Sequence, residues 1–266
     1  MRRVLSLMMV LTLGLVLSGC SEAEDNQLVV GLECNYAPFN WTTPDEGEMA
    51  VEINDVAAYC DGYDVQVASY IAEELDMELV ISKIEWDGLI PALLSDSIDV
   101  IIAGMSPTPE RAETVSFTNE YYRSEQVLVV AVNSDYASAT LLNDFEAARV
   151  VAQLGTLQDG LIDQIPNVVH MTALTDYPSL VQSVISGTSD ALVAELPVAQ
   201  SIVSSNSDLT IIRLTDGFTV EDSDVSVSIA VRQDEMDLQA SINEVLESIT
   251  EETRNDWMSA ALNRQP

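Results

Sequence analysis

WDGLIPALLSDSIDVIIAGMSPTPER, residues 86 to 111, is the stretch from which the fold can be read. It opens at helical spacing, with Leu89, Ile90, Leu93 and Leu94 on one apolar face. Ser95, Asp96 and Ser97 break that period as turn residues do. Val100, Ile101, Ile102 and Ala103 then form a short, mostly β-branched run, the pattern of a strand buried on both faces. A small and polar loop follows, with Gly104, Ser106 and Thr108 stiffened by Pro107 and Pro109 and closed by Arg111.

The same unit occurs again. GLIPALLSDSIDVIIAG (88 to 104) lies over SLVQSVISGTSDALVAE (179 to 195) without a gap. Leu89 falls on Leu180, Ile90 on Val181, Leu93 on Val184 and Leu94 on Ile185. Ser95 falls on Ser186, Asp99 on Asp190, and the two ends are Gly104 and Glu195. A helix–strand unit used twice, about ninety residues apart, predicts two similar α/β lobes. Ligands of open α/β sheets sit beyond the carboxyl ends of the strands. The loop from Gly104 to Arg111 is therefore expected to face Glu195 across a cleft.

Residues 1 to 19 read as a signal peptide. Arg2 and Arg3 give a positive start, and Val4 to Leu17 is an apolar run shorter than the ~20 residues a membrane span needs. Leu17-Ser18-Gly19-Cys20 resembles the lipobox of bacterial lipoproteins, which implies cleavage before Cys20 and a lipid on its sulfur. Residues 20 to 26 are then a polar, lipidated tether holding the protein at the outer face of the cell membrane, in the periplasm if there is an outer membrane.

The 266-residue chain carries 10 Lys+Arg against 44 Asp+Glu, a formal charge of −34. Residues 1 to 19 hold Arg2 and Arg3 but no acid, so their removal takes the charge to −36. Such a surface repels phosphate backbones and excludes nucleic acid as a partner. A hydrophobic content of 47% still supports two full cores.

Leu28 to Leu32 is a predicted first strand, with Glu33, Cys34, Asn35 and Tyr36 at its carboxyl end. Residues 42 to 62 read as a long surface loop without a persistent period. Tyr63 to Leu75 reads as a helix and Leu79 to Ile84 as a strand. Val127 to Val132 and Arg149 to Ala152 are further strands, the second followed by Gln153-Leu154-Gly155-Thr156. Val225 to Val231 is a returning strand, and Leu238 to Leu262 holds one or two helices. His170 stands alone between apolar residues and reads as a structural or surface histidine.

The stretches ECNYAPFNW, CDGYDVQVA, WDGLIPALLSDSIDVIIAGMSPTPERAETVSFTNEYY, QLGTLQDG and SDALVAELP occur in this order. Together they resemble the extracellular solute-binding proteins of ABC importers for polar amino acids. The resemblance implies a type II periplasmic-binding-protein-like fold, two α/β lobes that close like a hinged trap. Each lobe is a mixed, mostly parallel sheet flanked by helices. Two crossover segments are expected near Tyr121 to Glu125 and Ser223 to Val227. Lobe 1 then comprises 27–124 and 226–266, and lobe 2 comprises 125–225. The implied partners are a free amino acid, a permease and an ATPase, with the protein itself a monomer. No cofactor is implied.

A free amino acid needs a cation for its carboxylate, an anion for its ammonium, and a selective pocket. Arg111 supplies a planar fork that can hold a carboxylate through two parallel hydrogen bonds, and the resemblance assigns its motif that role. Ser106 and Thr156 would add donors from the two lobes. Glu195 is the natural ammonium partner, with the carbonyl of Gly104 as a second acceptor. The family usually has Asp at this point, so Glu195 is a departure of one methylene. Tyr36 and Trp86 match the aromatic positions that sandwich the ligand side chain in the family. Glu33 matches a position from which an acidic residue often reaches that side chain. It favours a basic amino acid, glutamine or asparagine.

With Cys20 assigned to lipid, Cys34 and Cys60 remain as an even pair in a compartment where disulfides persist. No Cys/His cluster or metal motif is present in the sequence. Two other functions fit the same scaffold: a sensory lipoprotein that binds without transport, and a dehydratase-like enzyme. No acid–base pair stands out for the enzyme beyond what binding needs.

Overall fold

The two copies of the helix–strand unit are the matching centres of two sheets. In the computed structural model, which describes residues 26–265, the helix Leu89–Leu94 leads to the strand Val100–Ile101, and the helix Tyr177–Ile185 to the strand Ala191–Glu195. From Leu89 to Gly104 and from Leu180 to Glu195, the units share the same order of buried, half-buried and exposed residues, position by position. The shared aspartate does the same work in both. Asp99 Oδ2 accepts from the Val29 N–H at 2.9 Å, and Asp190 Oδ2 from the Arg149 N–H at 2.8 Å. Each aspartate thereby ties the turn before its strand to the neighbouring strand.

The likeness extends to whole sheets. The first runs Glu78–Lys83, Gln27–Leu32, Val100–Ile101, Ser226–Val231, Ser116–Arg123. The second runs Val169–His170, Arg149–Val151, Ala191–Glu195, Gln126–Ala131, Leu209–Ile212. In both, the first three strands are parallel, the fourth is antiparallel to the third, and the fifth is antiparallel to the fourth. Helices cover the faces. Along Gln126–Ala131, Val127 and Val129 pack into one apolar cluster, Leu128 and Val130 into another on the opposite face. That two-sided burial is why these strands read as continuous apolar runs.

The chain passes between sheets twice, around Ser124–Glu125 and again before Ser226. The passages lie side by side, the Ser124 N–H donating to the Val225 carbonyl at 2.8 Å. The C-terminal region forms two helices, Met236–Ser248 and Glu251–Arg264, packed on the first lobe. Arg264 pairs with Asp61 at 3.0 Å, and Gln265 reaches Ser204 of the second lobe at 2.7 Å.

Two readings of local structure need correction. Leu94 and Ile185 are not on the buried face; they are 51% and 45% exposed, each being the last residue of a short helix. Residues 42 to 62 are not a plain loop. Asn40–Thr43, Val51–Glu52 and Tyr59–Asp61 join Asn35–Tyr36 in a small antiparallel sheet. Cys34 and Cys60 are disulfide-bonded across it, with Cα atoms 5.7 Å apart. His170 lies on an edge strand between Asp163 and Asp159, 2.9 Å from each. The expected signal peptide, the lipid site at Cys20 and the tether up to residue 25 lie outside the described residues.

Candidate functional site

Four strand ends meet where the lobes face each other. Val30 pairs with Val100 in the first sheet, and Val150 with Ala191 in the second. Counting forward three residues along the equivalent strands gives Glu33 and Gln153; the repeat itself ends in Gly104 and Glu195. Equivalent positions of the two lobes thus converge on one cleft. Glu33 and Gln153 bond each other across it, Gln153 Nε2 donating to Glu33 Oε1 at 2.8 Å.

The cleft is nearly closed, with a cavity of about 10 Å³ at its centre. All eight residues expected at the site line it: Glu33, Tyr36, Trp86, Gly104, Ser106, Arg111, Thr156 and Glu195. Gln153, Leu157, Gln158 and Tyr177 also line it and were not singled out from the sequence. Gln153 gave no signal in the sequence repeat, which spans neither it nor Glu33; its equivalence to Glu33 shows only in the order of the strands. Tyr177 opens a helix behind the cap Asp176 and is buried, so its pattern is that of a core residue.

Arg111 sits in the short helix Pro109–Ala112, whose cap Thr108 accepts from the Arg111 N–H at 3.4 Å. Its guanidinium lies over the Trp86 ring, 5.1 Å from the centroid, a cation–π contact. Nη1 donates to the Ser106 carbonyl at 2.9 Å, and Nη2 to Gly155 of the other lobe at 3.4 Å. Among the described residues Arg111 has no ion pair, whereas Arg123, Arg149, Arg213, Arg232 and Arg264 all do. Burial lowers its pKa, opposed by the charges of Glu110, Glu195 and Asp224.

Glu195 is 2% exposed and accepts from the Tyr36 hydroxyl at 2.5 Å, a bond between the lobes. Burial pushes its carboxyl up to about 7, against the Tyr36 hydrogen bond and the charge of Arg111. Tyr36 is held by Phe39, stacked at 5.2 Å, and by Tyr177 at 4.9 Å. Glu33 is 3% exposed. Burial raises its carboxyl to about 8; the Gln153 amide opposes this, and Glu85, Asp176 and Asp87 add to it.

Gly104 has φ +64°, and a Cβ there would stand 2.7 Å from Tyr36 Cε1. Only glycine combines that backbone with that approach. Its N–H donates to the Tyr121 hydroxyl at 3.0 Å, which donates to buried Asp64 at 2.7 Å. The Ser106 and Thr156 hydroxyls are turned to backbone carbonyls, those of Asp224 at 3.4 Å and Gln153 at 2.7 Å. Trp86, expected in the ligand sandwich, lines the cleft. Its ring carries Arg111, and its Nε1 donates to the Gly155 carbonyl at 3.1 Å across the cleft.

A cleft with one guanidinium, two buried carboxyls and aromatic walls at the joint of two matched lobes suits a small zwitterion. The chain matches the family described as bacterial extracellular solute-binding proteins, family 3, over residues 28–260. The chain belongs to that family. Family 3 proteins bind solutes outside the cytoplasm, and the paired sheets are their two-lobed scaffold. A probable histidine-binding protein of Campylobacter jejuni is 31% identical over 211 residues, 75% of this chain and 76% of the relative. The amino acid ABC transporter substrate-binding protein AbpA of Streptococcus pneumoniae, bound to L-arginine, superposes with a TM-score of 0.77 at 27% identity. That superposition covers 90% of this chain and 95% of the other. An ancestral arginine-binding protein bound to glutamine gives 0.72 at 29% identity, covering 88% and 97%.

Proposed function

We propose that this family 3 protein captures a free amino acid with a basic or amide side chain and delivers it to the permease and ATPase of an ABC importer. It acts as a binder, without a reaction of its own. One observation carries the reading. Arg111, a guanidinium without an ion pair among the described residues, shares a cleft with the buried carboxyl of Glu195 on the opposite lobe. A second buried carboxyl, Glu33, stands further along.

In this reading the ligand carboxylate takes the fork of Arg111. Its ammonium takes Glu195 and the carbonyl of Gly104, and its side chain runs toward Glu33. Tyr36 and Trp86 form the walls, Ser106 and Thr156 the rim. Glutamate and aspartate are rejected because their side chains would meet Glu33 unpaired. The relatives that bind histidine and arginine, and the one found with glutamine, support this class of ligand. Lobe 1 is 27–124 with 226–266 and lobe 2 is 125–225, a division supported by which strands share a sheet. Lipid on Cys20 anchors the monomer at the outer face of the membrane.

Isothermal titration of the ligand-free protein with all twenty amino acids tests the proposal. Binding is expected among arginine, lysine, histidine, glutamine and asparagine. Tight binding of glutamate with those five silent would overturn it.

A further inference from the structure

Asp64 lies behind the cleft wall, two hydrogen bonds from Gly104. It is fully buried at the start of the helix Tyr63–Glu74. Its neighbour in sequence Asp61 has Arg264 at 3.0 Å, but Asp64 has no ion pair among the described residues. It accepts from the Asn40 amide at 2.8 Å and from the Tyr121 hydroxyl at 2.7 Å. The Tyr121 hydroxyl in turn accepts from the Gly104 N–H at 3.0 Å. Tyr121 is itself fixed: its ring stacks on Tyr63 at 5.9 Å, and the Tyr63 hydroxyl donates to its carbonyl at 2.7 Å. Asn40, Tyr63, Asp64, Gly104 and Tyr121 all belong to the first lobe, so this chain of bonds does not depend on the cleft being closed.

The other end of the chain of bonds is in the cleft. Gly104 lines it, at φ +64°, and its N–H is spent on Tyr121. Its carbonyl receives no backbone N–H among the described residues. Glu195 lines the same cleft from the second lobe. One lobe thus brings a free carbonyl backed by a buried carboxyl, and the other brings a buried carboxyl directly. Burial pushes Asp64 up to about 7, against the bonds from Tyr121 and Asn40, and the charge of Glu195 adds to the rise. A cation held near both carboxyls opposes that rise and favours the ionised form of each.

We propose that Asp64 is a positioning residue for the ligand ammonium. Through the Tyr121 hydroxyl it fixes Gly104 by its N–H and leaves the Gly104 carbonyl free for the ligand, and its charge favours the positive end of the ligand at that carbonyl. Salt screens a buried charge much less than an exposed one, so the effect persists at physiological ionic strength. The inference rests on the proposed amino-acid site and adds to it two residues, Asp64 and Tyr121, that do not touch the ligand. A residue that only held the fold would affect every ligand of the cleft alike. A residue that acts on the ammonium affects only ligands that carry one, and the two roles separate on that difference.

The test is titration of the wild-type protein, Asp64→Asn and Tyr121→Phe with L-arginine and with δ-guanidinovalerate, the same molecule without its α-ammonium. Should the wild-type protein take glutamine and not arginine, L-glutamine and glutaramate are the pair. Weak binding is read from the rise in melting temperature at high ligand concentration. Asp64→Asn should weaken L-arginine roughly 5- to 30-fold, between the scales of a neutral and a charged hydrogen bond. Its affinity for δ-guanidinovalerate should stay within about twofold of wild type. Tyr121→Phe removes one oxygen and keeps the ring on Tyr63; it should show the same split, and it decides alone if Asp64→Asn does not fold. Equal weakening of both ligands, or no weakening of L-arginine in a folded variant, would overturn the inference while leaving the amino-acid site standing. Equal affinity of the wild-type protein for the two ligands would overturn it as well. Failure of arginine, lysine, histidine, glutamine and asparagine to bind the wild-type protein would overturn both the inference and the site.

Discussion

The two helix–strand units are alike in everything except where they end. Their burial matches residue for residue from Leu89 to Gly104 and from Leu180 to Glu195, and their aspartates make the same bond to the neighbouring strand. At the cleft the likeness stops. One unit ends in a glycine at φ +64°, the other in a buried carboxyl. One strand over, Glu33 faces Gln153. Two copies of one scaffold can only present a symmetric cleft, and a free amino acid is not symmetric. The difference teaches that the interiors of the lobes are held by packing, while the strand ends diverge to give the cleft a positive and a negative side.

The comparison can be broken in several places. The largest expected effect is at Arg111, which has no counterpart in the second unit. Arg111→Ala should weaken amino-acid binding roughly 30- to several-thousandfold, ~2–5 kcal/mol, read by isothermal titration. Arg111→Lys should not restore it, because an ammonium lacks the fork. Binding within about threefold of wild type would show that the positive side lies elsewhere.

Next is the negative side. Glu195→Gln keeps the shape and removes the charge, so affinity should fall about 10- to 150-fold, ~1.5–3 kcal/mol, the scale of a hydrogen bond to a charged group. Unchanged affinity in the same titration would mean that the ammonium is held by backbone alone.

The aspartates test the likeness itself. Asp99→Ala and Asp190→Ala each strip a bond from a backbone N–H, and each should cost ~1–3 kcal/mol in urea unfolding. Their side chains are 33% and 22% exposed, so screening places both toward the low end of that range. One severe and one neutral substitution would show that the shared position does not do shared work. The smallest effect is at the other end of the repeat. Gly104→Ala forces a Cβ into a left-handed backbone, ~1–2 kcal/mol, and into Tyr36. The melting temperature should drop by roughly 2–8 °C. No change would mean that Tyr36 moves aside freely.

Much of this was legible in the sequence because it is periodic. The repeat showed as apolar spacing plus Ser95/Ser186 and Asp99/Asp190, and it carried the two-lobed architecture with it. The cleft residues that were legible either end a strand, as Glu33 and Glu195 do, or sit in a loop motif, as Arg111 does. What stayed hidden was short or ambiguous. The strands between residues 35 and 61 have two to four residues each, too few to show alternation, and are joined by a disulfide rather than a shared period. Tyr177 has the pattern of a packed helix start, and only its place against Tyr36 in the lining marks it as part of the cleft. Trp86 was legible as a cleft residue, but its bond to the Gly155 carbonyl depends on the angle between two lobes, which no local pattern encodes.

The most direct test of the central claim, that divergent ends of a duplicated scaffold grip the two poles of one amino acid, is a crystal structure with L-arginine bound. The account predicts the ligand carboxylate on the Arg111 fork, the ammonium against Glu195 and Gly104, and the guanidinium beside Glu33. A ligand lying with its carboxylate on the second lobe and its side chain away from Glu33 would contradict it.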